Sequence, residues 1–272
     1  MKPSNYPETI YKYRTWSNSH HRKILTKNQL YLASPKNFND PLDCRIGNNY
    51  GLLDTDDKIR EYAEIVTERH KVAVIKMGLN PQIEKQRIIK ELKTDMRSVQ
   101  KKDDEYIFGM QDKHFGVLSL SERFDSILMW SHYAEFHKGF CVGFNEEKMR
   151  QSNLFGQGGP VNYDTHFPKI DPRKNRGMEK SFVQTHTKAK DWAYEMEYRL
   201  TQLFFPKEPK KDDRIITFPT ELISEIILGL KTPEEHKREI IEIANEKKIP
   251  IFEIEQIQAQ FKLVKKPVAN SA

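Results

Sequence analysis

The stretch DWAYEMEYR, from Asp191 to Arg199, carries the pattern that decides the fold around it. Glu195, Glu197 and Arg199 occupy every second position within it. Because side chains alternate between the two faces of a β-strand, a strand here places these three on one face. The other face then carries Tyr194, Met196, Tyr198 and Leu200. We predict a half-buried strand whose charged row is either turned to solvent or forms the floor of a site, and we favour the floor of a site.

The composition is that of a globular protein with a core of ordinary size. The chain has 272 residues, of which 37% are hydrophobic and 31% charged, and we predict a single domain over 1–272. No apolar run approaches the roughly 20 residues of a membrane helix, and the N-terminal sequence lacks the apolar segment of a secretory signal. Cys44 and Cys141 have no metal-ligand spacing, which indicates free thiols. We therefore predict a cytoplasmic protein with no membrane partner.

The charge balance permits a polyanionic partner without requiring one. The formal net charge is +6 and the isoelectric point is about 9.0. Most lysines and arginines alternate with acids, as in KREIIEIANEKK, which is typical of a solvated mixed surface. The sequence shows neither an RNA-recognition signature nor a basic recognition helix. A nucleotide substrate, a nucleic-acid partner and a non-enzymatic nucleic-acid-binding or protein-binding module all stay open at this point.

The spacing of apolar residues predicts an α+β fold with a mixed central β-sheet flanked by helices. Predicted strands are IYKYR, LYLAS, FGVLSLSE, KGFCVGFN, ELISEIILGL and IPIFEIEQ. Predicted helices are HHRKILTKNQ, SILMWSHYAEFH and PEEHKREIIEIANEKK. Helical spacing between Leu53 and Gln111 predicts a helical insertion or cap over 53–111. GQGGPVNYD is interpreted as a glycine-rich turn leading to a strand, and no helix follows it as a phosphate-binding loop requires.

Six pieces of the chain carry a resemblance to a known family. They are, in order, YKYR, LYLASPKNFNDPLDC, LSLSE, MWSHYAEFHKGFCVGF, KAKDWAYEMEYRL and ISEIILGL. Together they resemble a bacterial family known only as a domain of unknown function, numbered 2971, over nearly the whole chain except the helical insertion. The name of that family implies no activity.

The candidate site residues are the polar and aromatic side chains that these pieces concentrate. They are Tyr13, Arg14, Asn39, Asp40, Asp43, Trp130, His132, Tyr133, His137, Lys188, Trp192, Glu195, Glu197 and Arg199. The layout of an early strand, a second strand and a late Glu-x-Glu strand is similar to that of ADP-ribosyltransferases. In such enzymes, breaking the bond between nicotinamide and ribose builds positive charge on the ribose, which a carboxylate stabilises.

The similarity to ADP-ribosyltransferases implies a role for each of several residues. Glu197 is the implied catalytic glutamate, with Glu195 as its partner and Arg199 beside them. Arg14 is the implied phosphate-binding cation, and Tyr31 the ring under nicotinamide. The implied NAD-binding set is Tyr13, Arg14, Tyr31, Ser34 and Trp192. The implied acceptor is a nucleic acid or a protein, and the implied biological role is that of a toxin or of defence against phage.

The sequence also leaves open a metal-dependent nuclease and a purely structural role for these residues. Asp40, Asp43, Glu195 and Glu197, with His132 or His137, have the ligand types of such a nuclease. Arg199, however, stands where nuclease motifs carry lysine, and no metal site is predicted. The structural role would be core packing for the aromatic residues, turn formation for the aspartates, and an ion pair with a neighbouring glutamate for Arg199. Convergence in one concave pocket would favour a site.

Overall fold

The chain divides into two compact units, each assembled from separate segments. The computed structural model describes residues 6–174 and 177–268. The first unit comprises Met1–Asn39, Lys113–Thr165 and Lys188–Ala272, and the second Asp40–Asp112 and His166–Thr187. Within the described residues, no helix is long and apolar enough to cross a membrane.

The first unit is built on an eight-stranded mixed sheet. The strands of the chain are β1 (Thr9–Arg14), β2 (Gln29–Tyr31), β3 (Phe115–Ser121), β4 (Phe140–Asn145), β5 (Gln157–Pro160), β6 (Asn162–Asp164), β7 (Thr187–Ala189), β8 (Glu197–Leu203), β9 (Ile215–Thr217), β10 (Ile223–Leu228), β11 (Ile251–Gln256) and β12 (Leu263–Pro267). The order in the sheet is β12-β11-β10-β4-β1-β3-β8-β5, while β2 and β9 form a separate two-stranded sheet. β10 and β11 pair in parallel, whereas the other neighbouring strands of this sheet pair in antiparallel fashion. This confirms the predicted mixed sheet.

Helices occur in both units. They are α1 (Ser19–Thr26), α2 (Asp56–Lys76), α3 (Pro81–His114), α4 (Ile127–Tyr133), α5 (Glu146–Gln151), α6 (Gly177–Thr185) and α7 (Glu234–Glu246). Asp95 interrupts α3 with non-helical backbone angles. α2 and α3 confirm the helices predicted between Leu53 and Gln111. The α+β class is therefore confirmed.

Both faces of the large sheet are buried at β4, which explains why that strand is almost continuously apolar. On one face, Phe140, Val142 and Phe144 of β4 pack in a core that includes Ile240 of α7. On the other face, Cys141 belongs to a core formed with Tyr13, Ile227, Met129 and Trp130. The two faces alternate along β4 because successive strand residues point in opposite directions. The helices thus flank the sheet as predicted.

The second unit has a smaller core of its own. Tyr50, Leu53, Ile59 and Leu92 form its buried cluster. The segment containing α6 is joined to the rest of this unit by polar contacts. Arg173 forms an ion pair with Glu61 at 2.6 Å, and Gln184 Nε2 donates to the Ile46 carbonyl oxygen at 2.6 Å.

Two predictions of local structure are wrong. Lys190–Glu195 forms a 3₁₀ helix, and β8 begins only at Glu197, after Met196 adopts a left-handed conformation with φ of 41°. Gln157–Pro160 of the GQGGPVNYD segment is the edge strand β5, where a turn was predicted. β5 lies against β8, where a Cβ atom at Gly158 would stand 2.4 Å from Leu200 Cδ2. The glycine is required there for close strand packing and not for a turn.

Candidate functional site

A cleft opens in the first unit where the large sheet separates. β1 and β3 pair only at Tyr11 and Ser121. Farther along β3, Val117 pairs with Ala33 instead of with β1. The Lys12 ammonium group donates to the Ser119 carbonyl oxygen across the gap between the two strands. The resulting cleft has a volume of about 580 Å³, and both Lys12 and Ser119 line it.

Two basic side chains of β1 face this cleft. Lys12 and Arg14 are two residues apart on one strand, so they share a face, and both line the cleft. Neither forms an ion pair with any residue in the described part of the chain. Burial lowers the pKa of Arg14 to about 10, so its guanidinium group stays charged at neutral pH. Burial also lowers the pKa of Lys12 and the charge of Arg14 lowers it further, whereas the charges of Glu197 and Glu195 raise it. An anion in the cleft would relieve this repulsion.

Aromatic rings form much of the remaining wall. They belong to Tyr31, Phe38, His132, Tyr133, Trp192 and Tyr194. α4, which supplies His132 and Tyr133, begins where the Ser126 side chain accepts a hydrogen bond from the Met129 N–H. His132 Nδ1 lies 3.2 Å from the Tyr194 hydroxyl oxygen. Rings in such an arrangement suit a flat aromatic ligand.

A buried ion cluster lies next to the cleft. Glu195, Glu197, Arg199 and Lys188 are all less than a tenth exposed. Arg199 Nε and Nη2 donate to the two Glu197 carboxylate oxygens at 2.7 and 2.9 Å. Lys188 Nζ lies 2.5 Å from Glu195 Oε2 and 3.1 Å from Glu197 Oε2. The charged row is therefore buried and its charges balance, which offsets part of the cost of removing them from water.

The backbone brings the two glutamates together by different means. Glu197 and Arg199 share a face of β8 by strand alternation. Glu195 instead belongs to the 3₁₀ helix and reaches the cluster because Met196 turns the chain through a left-handed residue. Lys188 comes from β7, a few residues earlier. The predicted proximity of these charges is present, although a continuous strand does not produce it.

Each glutamate accepts a hydrogen bond from the hydroxyl group of a residue that lines the cleft. The donor is Tyr133 for Glu195 and Ser119 for Glu197. The Tyr133 hydroxyl donates to Glu195 Oε1 at 2.5 Å, and Tyr133 lines the cleft. Burial would raise the pKa of Glu197, but the charges of Arg199 and Lys188 and a hydrogen bond from Ser119 hold that pKa well below its usual range. Burial and the bond to Glu195 raise the pKa of Tyr133 above its usual value, so its hydroxyl keeps its proton. The Tyr133 hydroxyl thus links the Glu195 carboxylate to the cleft.

The structure gathers part of the predicted site. The cleft-lining residues among the candidates are Arg14, Tyr31, Asn39, His132, Tyr133 and Trp192. Lys188, Glu195, Glu197 and Arg199 form the ion cluster behind them.

The remaining candidates of the first unit occupy structural positions. Tyr13 and Trp130 pack edge to face in the core, with ring centroids 5.1 Å apart. His137 stacks on Trp130, and Ser34 is a buried residue at the start of the 3₁₀ helix Pro35–Asn37.

Asp40 and Asp43 belong to the second unit. An Asp40 carboxylate oxygen accepts from the Leu42 N–H at 2.9 Å, the turn-forming role that aspartate often has. Both side chains are buried. In the described chain, no group of three or more His, Cys, Asp or Glu residues could hold a metal ion.

Seven residues that the sequence patterns did not single out line the cleft, and four of them have side chains that bear on its chemistry. These four are Lys12, Phe38, Ser119 and Tyr194. Lys12 could have been found, because it precedes Arg14 by two positions on a predicted strand. Ser119 and Phe38 carry no local signal of this kind. Ser119 becomes a neighbour of Glu197 only through the pairing of β3 with β8.

The two cysteines take no part in the cleft. Cys44 and Cys141 are both buried. Burial raises the pKa of the Cys141 thiol, so it stays protonated and unreactive at neutral pH.

Comparison with known proteins finds a family that matches part of the chain. No curated protein and no solved structure matches the chain significantly. The matching segment, residues 129–200, contains most of α4, all of β4 and the charged row up to β8. Over this segment the chain resembles the family described as Protein of unknown function (DUF2971).

Proposed function

We propose that the chain is a nucleotide-dependent transferase that binds NAD in the cleft and transfers its ADP-ribosyl group. One observation supports this most strongly. The cleft combines two basic side chains that have no ion-pair partner among the described residues, an aromatic wall and two carboxylates placed one hydroxyl group behind that wall. These are the groups needed for a pyrophosphate, a flat base and a developing positive charge.

Arg14 and Lys12 would bind the pyrophosphate. Their side chains point into the same cleft, and a charge-assisted hydrogen bond to a phosphate oxygen is about twice as strong as a neutral one. A bound diphosphate would also compensate for the burial that lowers the pKa of both groups. The aromatic wall around Tyr31 and Trp192 would hold a nicotinamide or adenine ring by stacking.

The reaction would be a substitution at the ribose carbon. The carbon–nitrogen bond breaks and nicotinamide leaves with the bonding electron pair. The nucleophile of the acceptor forms the new bond to the ribose carbon and releases its proton to solvent water. The Tyr133 hydroxyl, polarised by Glu195, would accept or share a hydrogen bond with the ribose hydroxyl and stabilise the positive charge on the ring.

Of the two glutamates, Glu195 has the closer connection to the cleft. Both oxygens of Glu197 are occupied by Arg199, and one also by Lys188. We therefore assign Glu197 to positioning Lys188 and Arg199, and Glu195 with Tyr133 to the ribose. The same engagement of the oxygens leaves a metal-dependent nuclease with less support, because a divalent cation would have to displace these partners.

The test is NAD consumption by the purified chain, with and without mixed nucleic-acid and protein acceptors. The Tyr133→Phe and Glu195→Gln variants are expected to lose on the order of 100-fold in rate. Glu246→Gln, an exposed glutamate of α7, serves as the matched control and should retain the rate. Thermal unfolding of each variant shows whether the fold is kept.

Three outcomes are informative. NAD consumption that falls only in the site variants supports the proposal. Equal consumption in all variants contradicts the assigned roles of Tyr133 and Glu195. An absence of both NAD consumption and NAD binding by calorimetry overturns the proposed function.

A further inference from the structure

A second recess adjoins the cleft on the other side of Arg14 and Tyr31. It has a volume of about 440 Å³, and Arg14, Tyr31, Lys23 and Lys211 are among the residues that line it. Lys23 comes from α1, and Lys211 from the segment just before β9. We call this space the basic recess. Because Arg14 and Tyr31 line both spaces, a ligand in the basic recess would end beside the cleft.

The basic recess carries an excess of positive charge. Arg14, Lys23 and Lys211 are cations, and none of them forms an ion pair with a residue in 6–174 or 177–268. Asp212 contributes one negative charge. His21 also lines the recess, and burial together with the charges of Arg14 and Lys12 lowers its pKa to about 4, so it is neutral at pH 7. The positive charge that remains favours an anionic ligand.

The apolar part of the basic recess narrows the choice of anion. Tyr31 is 37% exposed, so its ring is available for stacking. Ile24 and Leu30 are buried residues that form part of the recess lining. A nucleic-acid strand combines repeated phosphate charges with flat bases, and stacking of a base on an aromatic side chain contributes about 1–3 kcal/mol. An acidic peptide supplies the charge but not the rings. The recess therefore fits a single strand of DNA or RNA better.

We propose that the basic recess binds a single-stranded nucleic-acid segment, which is the acceptor of the transfer reaction. The acceptor role rests on the proposed function, whereas the binding does not. Arg14 and Tyr31 would contact both the strand and the nucleotide in the cleft. A base or terminal phosphate at the shared wall would then lie next to the ribose carbon that is attacked.

The test measures binding of a fluorescein-labelled single-stranded oligonucleotide, as DNA and as RNA, by anisotropy across a series of salt concentrations and without NAD. The site variant is Lys23→Glu with Lys211→Glu. The control variant is Lys102→Glu with Lys262→Glu, two exposed lysines that line neither the cleft nor the basic recess, with the same change in net charge. The site variant should bind at least tenfold more weakly. The plot of its log affinity against log salt concentration should be less steep, with a slope smaller in magnitude by about 1.4, the value for two lost phosphate contacts on a single strand.

The outcomes separate this inference from the proposed function. Equal weakening in the site and control variants would show that only net charge matters and would overturn the inference. Competition by polyglutamate as strong as by unlabelled oligonucleotide would also overturn it in favour of an acidic protein partner. A preference for DNA or for RNA supports the inference and shows which kind of strand the recess binds. Because the assay contains no NAD, binding of the oligonucleotide supports the proposed role of the basic recess even if the chain does not consume NAD.

Discussion

Among single side chains, Arg199 compensates for the negative charge of Glu197 in the protein interior. It is 1% exposed and binds both oxygens of Glu197. Arg199→Met should lower the free energy of unfolding by about 3–5 kcal/mol, because it leaves a buried carboxylate with less compensation. Urea-induced unfolding measures the change.

The matched control is Arg87→Met on α3. Arg87 also forms two ion pairs, with Glu84 and Glu91, but its side chain is 56% exposed. Exposed pairs contribute about 0–1 kcal/mol, so the control should change stability little. Similar losses in the two variants would mean that the buried cluster adds no more than a surface pair.

The lowered pKa of Glu197 predicts how the stability of the fold changes in acid. Its pKa in the folded chain is held well below its usual range by Arg199 and Lys188, against the effect of burial. The folded state therefore binds fewer protons than the unfolded state in acid. The stability due to this carboxylate is fully present above the unfolded pKa and is lost as the pH falls below it. Between about pH 5 and pH 2, unfolding free energy should fall more steeply in the parent chain than in Glu197→Gln.

His21 reports on the charge at the shared wall of the cleft and the basic recess. Burial is the main cause of its low pKa of about 4, and Arg14 is the next. Because the unfolded histidine binds protons more readily, this group lowers stability as the pH drops from about 6.5 towards 4. NMR titration should show the pKa of His21 rising in Arg14→Leu, and also in the parent chain when inorganic pyrophosphate is bound. An unchanged pKa in Arg14→Leu would place the two side chains farther apart than in the structure.

Helices and strands with a regular apolar pattern are predictable from the sequence, whereas segments with irregular backbone are not. α2, α3 and α7 follow from the i, i+3, i+4 spacing of apolar residues, and β4 and β10 from continuous apolar runs. These signals are local and repeated over many residues. They were enough to predict the α+β class and the mixed sheet.

The segment before β8 shows where such prediction fails. A row of charges with a period of two fits a strand, yet Lys190–Glu195 forms a 3₁₀ helix. The deciding feature is the left-handed conformation of Met196, which a methionine has no local tendency to adopt. Contacts with Lys188 and Tyr133 hold Glu195 in place instead. The predicted cluster was found through residue types, while its geometry depends on tertiary contacts.

Met196 gives a test of this backbone conformation. Its φ is 41°, and the residue is 41% exposed, so little packing is lost on replacement. Met196→Gly should leave stability unchanged or raise it by up to about 1 kcal/mol, because glycine adopts positive φ without strain. Met196→Ile should lower it by about 1–3 kcal/mol. Met110→Ile within α3 is the control and should cost less than about 1.5 kcal/mol. Equal effects of isoleucine at both positions would argue against the left-handed turn.

For the whole molecule, the cleft is a product of long-range pairing. Its residues come from β1, from β2 and the segment that follows it, from β3, from α4 and from the segment before β8, which lie far apart in the chain. The opening exists because β1 pairs with β4 along its length but with β3 at one position only. No local pattern encodes that difference. This explains why Arg14 and the Glu195 region were predicted to be near each other only by similarity of layout, and why Ser119 was missed.

The position of β1 in the sheet predicts unequal effects of removing two short terminal segments. β1 lies between β4 and β3 and contributes the buried residues Ile10, Tyr11 and Tyr13, whereas β12 is an edge strand whose one residue in the buried core is Leu263. Deletion of residues 1–14 removes a central strand and should abolish cooperative thermal unfolding, since the sheet is divided in two. Deletion of 263–272 should retain a cooperative transition with Tm lower by on the order of 5–10 °C, the cost of one buried leucine and one edge ladder. Calorimetry and far-UV circular dichroism distinguish these results. A cooperative transition in the chain lacking 1–14 would contradict the central position of β1, and with it the origin of the cleft in the separation of β1 from β3.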